Sequence, residues 1–151
     1  MTSPCWWDTG DDRDTKYLQI LYVEDNDDNW EIANLRLSDK FVLTRAKTDA
    51  EAFGLLREHG YDVILMDIQL QGSQLDGLEI TRAIKGREVA DQPSYADGVD
   101  CGDTPVIFVT AYTARYDRSE LMAAGGDELI GKPVDFAQLT SAIVRLSMAH
   151  P

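Results

Sequence analysis

Four short apolar runs constrain this chain most, because each ends in a polar residue able to do chemistry. Ile20-Leu21-Tyr22-Val23 runs into Glu24-Asp25, and Val63-Ile64-Leu65-Met66 runs into Asp67. Val106-Ile107-Phe108-Val109 runs into Thr110, and Leu129-Ile130-Gly131 into Lys132-Pro133. Short apolar runs without alternation suit strands buried on both faces, as in a parallel sheet. Helical patterns separate the runs, and strands alternating with helices imply a doubly wound α/β domain. Sheets of this kind place their chemistry at the carboxyl ends of the strands. That edge would here gather three carboxylates, a hydroxyl and an ammonium. Carboxylates held so close repel one another and call for a cation, and hard oxygen ligands suit Mg²⁺.

The pattern predicts strands over about 18–23, 41–46, 63–67, 105–110 and 128–131. Helices are predicted over about 28–37, from Thr48 to near His59-Gly60, and over 77–85, 115–124 and 136–148. Thr48 and Glu51 have capping-box spacing, Asp76 and Asp135 can each cap a helix, and Gly60 suits a helix C-terminus. Residues 86–103 are polar, rich in Asp and Gly, and read as a long loop. This loop joins a helix to the start of the fourth strand, so it is expected at the sheet end opposite Asp67. Residues 1–14 read as a polar tail carrying Trp6 and Trp7, followed by one domain over 15–151.

Composition narrows the function. At 151 residues the chain is long enough for one full core. Its formal net charge of −13 argues against a nucleic-acid surface, which needs clustered Lys and Arg. Cys5 and Cys101 form no disulfide framework or metal spacing, so a reducing, cytoplasmic setting is the simpler expectation. No apolar run is long enough to span a membrane, and the acidic start is unlike a signal peptide.

Taken singly, each polar residue has an ordinary use: Asp67 as a loop or cap residue, Glu24-Asp25 as the acidic start of a helix. Thr110 is by itself a common strand residue, and Lys132 a common surface charge. Together and in this order, Glu24-Asp25, Asp67, Thr110 and Lys132-Pro133 resemble the receiver domain of two-component response regulators, particularly single-domain chemotaxis-like members. The resemblance covers about residues 19–148. It implies a flavodoxin-like (βα)5 fold with a five-stranded parallel sheet of order 2-1-3-4-5. It also implies that Asp67 accepts a phosphoryl group from a sensor histidine kinase or a histidine phosphotransfer protein. Mg²⁺ would be held by Asp25, Asp67 and the backbone carbonyl of Gln69, with Glu24 acting through metal-bound water. Lys132 would add positive charge, and the Thr110 hydroxyl would meet a phosphoryl oxygen. An anionic Asp can approach an anionic phosphoryl group only when charge is neutralised. Output would be binding of a downstream protein, without nucleic acid or membrane, and a homodimer is left open. The chain ends with the last helix, so a stand-alone regulator or a receiver cut from a longer protein is expected.

Three departures from the family pattern stand out. Leu129 occupies the place, three residues before the Lys, where receivers usually carry Phe or Tyr. The aromatic switch is therefore absent or moved, and Tyr112 is either its replacement or only a lid over the site. Gln71 stands where many receivers have Pro, and Gly72-Ser73-Gln74 looks like a small insertion. Gln69 stands where a phosphatase that turns over a phospho-Asp usually carries a second Asp, which argues against that rival. The intact acidic pair and Lys132 argue against the other rival, a binding scaffold that is never phosphorylated.

Overall fold

The computed structural model describes residues 18–111 and 117–148. The tail with Trp6 and Trp7, and Tyr112, lie outside the described residues. Five strands form one parallel sheet: β1 (Gln19–Val23), β2 (Val42–Ala46), β3 (Val63–Met66), β4 (Val106–Thr110) and β5 (Glu128–Gly131). Their order is β2-β1-β3-β4-β5, as the resemblance implies. The helices are α1 (Asp27–Leu37), α2 (Asp49–Glu58), α3 (Gly77–Ile84), α4 (Arg118–Ala124) and α5 (Phe136–Met148).

Successive strand residues point to opposite faces, and this splits the core into two layers. Ile20, Tyr22, Val63, Leu65, Ile107 and Val109 pack under Ala33 and Leu37 of α1 and Leu139, Ile143 and Leu146 of α5. Leu21, Val23, Ile64, Met66 and Phe108 pack under Phe53 of α2, Ile80 and Ile84 of α3 and Leu121 of α4. All residues of β3 and β4 are buried, which explains their unbroken apolar character. Each such aliphatic side chain contributes roughly 1.5–3 kcal/mol on burial.

Local signals set most helix ends. Asp76 and Glu79 form a reciprocal capping box that starts α3, and Asp135 accepts from the Gln138 amide at the start of α5. Gly125 ends α4 at φ +117, a conformation that side chains with a Cβ rarely adopt. Thr48 caps α2, but the predicted capping box does not close: the Glu51 carboxylate accepts from the Lys47 amide instead. The same helix leaves through an extended His59 at φ −136, so Gly60 is not its left-handed cap. The described part of α4 starts at Arg118, because Asp117 takes an extended conformation and caps it.

The 86–103 segment departs most from expectation. It contains a short 3-10 turn over Ser94–Ala96, and it buries Ala96 and Val99 against the α2–α4 layer. Nor does it stay at the far end of the sheet. Its Tyr95 hydroxyl donates to Asp49 at the start of α2, 2.6 Å away, and its Asp91 carbonyl accepts from the Gln74 side chain. Both contacts lie just beyond the carboxyl ends of β2 and β3, the end that carries Asp67. Five apolar or aromatic residues, Val89, Tyr95, Ala96, Val99 and Cys101, pull the segment along this face.

Candidate functional site

β1 and β3 are neighbours in register, Val23 opposite Met66, so the residues that follow them emerge side by side. Glu24, Asp25 and Asp67 come together in this way, each offering a carboxylate oxygen within 4.8 Å of the others. Lys132 reaches them from the end of β5, with Nζ 2.7 Å from Glu24 Oε1 and 3.1 Å from Asp67 Oδ2. The Lys132-Pro133 peptide is cis. Thr110 ends β4 fully buried, in register with Gly131, and its carbonyl accepts from the Lys132 amide. Gln69 lies half-buried in the loop after β3. Leu129 is half-buried, opposite Phe108 in the sheet, and packs against the α2–α4 layer.

The helix after this loop is pressed against the phosphoacceptor candidate. A Cβ on Gly77 would lie 2.0 Å from the Asp67 carbonyl oxygen, so only glycine fits where α3 begins. The loop is also tied to the acidic pair, because the Gln71 amide donates to Asp25 Oδ2 at 2.9 Å.

Three residues of this surrounding shell carried no signal in the sequence. Tyr22 donates its hydroxyl to Glu24 Oε1 at 3.1 Å, beneath Trp30 at a ring separation of 6.4 Å. Arg45 donates from Nε to the Glu24 carbonyl and pairs with Asp27 at 2.8 Å, while its buried Nη2 has no hydrogen-bond partner among the described residues. Asp49, 2 % exposed, anchors the outer side of the β3–α3 loop by accepting from the Leu75 amide. Strand position alone gives no hint of these contacts, because they depend on which side chains the register brings into reach.

Burial and repulsion from Glu24 push the Asp67 carboxyl up to about 7. Burial also opposes charge on Glu24, yet the hydrogen bond and charge of Lys132 outweigh it and hold Glu24 below the usual carboxylate range. Burial likewise opposes charge on Lys132, and Glu24 and Asp67 together raise it above an ordinary lysine. The cluster is thus one ionised pair, Glu24 and Lys132, beside a carboxyl that a further cation would ionise.

Both oxygens of Glu24 are engaged, one by Lys132 and Tyr22 and the other by the Asn26 amide. Asp25 and Asp67 are the carboxylates better placed to ligate an ion directly. An all-oxygen, strongly acidic donor set of this kind fits a hard divalent cation such as Mg²⁺.

The model of the response regulator receiver domain matches residues 20–144. The polar-differentiation response regulator DivK of Brucella ovis is 31 % identical over 125 residues, 82 % of this chain and 91 % of DivK. Among solved structures, a Francisella response regulator receiver domain superposes with a TM-score of 0.74 at 20 % identity, covering 89 % of this chain and all of that one. The receiver domain of a Pseudomonas aeruginosa sensor histidine kinase, with a magnesium ion in its active-site cleft, gives 0.69 at 27 % identity. That match covers 86 % of this chain and 97 % of the other. Sheet order, carboxylate cluster and sequence match converge, and the chain belongs to the response regulator receiver domain family of two-component signalling.

Proposed function

We propose that Asp67 is the phosphoacceptor and that this receiver takes its phosphoryl group from a sensor histidine kinase or histidine phosphotransfer protein. The observation that carries the reading is a buried carboxylate at the carboxyl edge of β3, with Lys132 at 3.1 Å and two more carboxylates within 4.8 Å. An Asp67 carboxylate oxygen attacks phosphorus, the P–N bond to the donor imidazole breaks, and its electron pair stays on the imidazole nitrogen. The product is an acyl phosphate. Asp25, Asp67 and the Gln69 carbonyl would hold Mg²⁺, with Glu24 in its outer shell; the ion would neutralise charge between acceptor and phosphoryl group. Lys132 would pair with a phosphoryl oxygen, and the Thr110 hydroxyl would donate to another.

Signalling then runs through binding of a downstream protein, and the chemistry is confined to self-phosphorylation and loss of the phosphoryl group. Gln69 supports this, because its amide can hold a water but is a poor general base. Among the described residues no helix is long and apolar enough to cross a membrane. The test is incubation with acetyl phosphate and Mg²⁺, read by intact mass. Wild type gains one phosphoryl group and Asp67→Asn gains none. Rapid phosphate release without an adduct would point to an enzyme, and no reaction to a scaffold. Stoichiometric labelling of Asp67→Asn would overturn the assignment.

A further inference from the structure

The loop between β3 and α3 is strung between two carboxylates. On its inner side the Gln71 amide holds Asp25. On its outer side Asp49 Oδ2 accepts from the Leu75 amide at 2.9 Å, and the Asp49 amide donates to Ser73 Oγ at 2.9 Å. Asp49 is 2 % exposed, and a buried carboxylate of this kind holds its place only while its acceptor sites are filled. One donor to it comes from far along the chain: the Tyr95 hydroxyl, 2.6 Å from the same Oδ2. Tyr95 is itself fixed. Its ring packs against Phe53, and Arg57 donates to the carbonyls of Tyr95 and Asp97. A second tie joins the same two segments, from the Gln74 side chain to the Asp91 carbonyl.

We propose that Tyr95, acting through Asp49, is a positioning residue for the receiver reaction, so that this one hydroxyl of the 86–103 segment sets the geometry of the loop beside Asp67. The proposal rests on the reading of Asp25, Asp67 and Gln69 as the ion's ligands. Gln69 belongs to this loop, and Asp25 is bonded to it through Gln71. An outer anchor that slackens therefore moves one ligand and loosens another. It also opens the approach of water to the acyl phosphate, where attack on phosphorus breaks the bond to the Asp67 oxygen and returns a free carboxylate. Tyr95 touches neither reactant nor ion, so its effect is transmitted wholly by the loop.

The experiment compares wild type, Tyr95→Phe and Val99→Ala at 25 °C. Tyr95→Phe keeps the ring against Phe53 and deletes only the donor. Val99→Ala loosens the same segment, in which Val99 is 7 % exposed, without touching the polar anchor. One hydrogen bond to a charged group is worth about tenfold or more in an equilibrium, of which the loop passes only part to the ion. Tyr95→Phe is expected to weaken Mg²⁺ affinity by calorimetry about threefold and to shorten the phospho-Asp67 lifetime by a similar factor. Metal-free amide exchange at Leu75 should quicken in the same variant. Val99→Ala should lower the melting temperature and leave affinity and lifetime at wild-type values. Wild-type affinity and lifetime in Tyr95→Phe would overturn the proposal, as would equal losses in Val99→Ala. If wild type binds Mg²⁺ but takes no phosphoryl group, the functional reading fails, and the affinity comparison still decides the role of Tyr95.

Discussion

Asp67 is 7 % exposed and shares its site with an ionised Glu24 and Lys132, so charge on its carboxylate is costly in the metal-free protein. Its carboxyl titrates at about 7 in the fold against a reference of 3.8, burial being the largest cause and Glu24 the next. The folded state therefore holds the proton more tightly than the unfolded chain. Its contribution to stability is complete below about pH 4 and is lost as pH rises from 3.8 through about 7. At roughly 1.4 kcal/mol per pH unit the ceiling of this loss is about 4 kcal/mol. Because the neighbouring pair relaxes with it, about 1–3 kcal/mol is the expected size. Asn keeps an acceptor for Lys132 and carries no charge. Without Mg²⁺, Asp67→Asn should exceed wild type in stability by that amount at pH 8 and by little at pH 4. Urea denaturation at the two pH values measures this, and an equal gain at both would rule out the buried charge as the cause. On the proposed reading, the same reasoning would make Asp67 reactive only with a cation nearby: an ion that ionised it would also screen the incoming phosphoryl group.

At the scale of elements, the site is a set of strand ends whose neighbours were fixed by register, and the question is how β4 and β5 report its state. Leu129, opposite Phe108 on β5, has a branched aliphatic chain that offers no ring to follow the Thr110 hydroxyl. If the switch has moved, Tyr112 is the first aromatic to follow Thr110 in the chain. A phosphoryl group can drive such an element only if it binds the two rotamer states with different affinity. Tyr112→Ala should then accept the phosphoryl group normally and lose the phosphorylation-dependent change in affinity for a kinase or target. Leu129→Ala should lose stability through packing, of order 2 kcal/mol, and keep that change. Binding titrations of both variants before and after acetyl phosphate decide it. A full affinity change in Tyr112→Ala leaves Tyr112 as a lid and nothing more. The helix that follows β3 contributes differently, as a fixed wall: Gly77 lets α3 pack directly on the Asp67 backbone, and a methyl group there would collide with it.

Over the whole molecule, what was legible in the sequence follows from burial on two faces. Strands such as β3 and β4 must be apolar throughout, so their ends are sharply marked, and a polar residue at each end is easy to see. Sheet order and the roles of Asp67 and Lys132 came from resemblance, since apolar runs carry no information about which strand lies beside which. The path of residues 86–103 was not legible, because a polar segment without periodicity does not say which surface its few apolar residues will cover. Tyr95 and Asp49 therefore looked unrelated, though they meet at 2.6 Å. The acidity has a similar double meaning. A net charge of −13 gives any cation some stabilising effect by screening, whereas a built site responds to one ion at one place. The two separate by experiment. An ion that binds only the folded state stabilises by an amount that grows with the logarithm of its concentration, about 2.7 kcal/mol at a hundred times its Kd. NaCl at matched ionic strength supplies the screening alone. Wild type should melt higher in MgCl2 than in matched NaCl, with the gap widening as Mg²⁺ rises. Asp25→Ala removes one proposed ligand carboxylate and leaves most of the charge in place. It should keep the NaCl effect and lose most of the MgCl2 excess. A variant that retains the whole excess would show that Mg²⁺ acts on this chain as a diffuse counterion, and that Asp25 holds no ion.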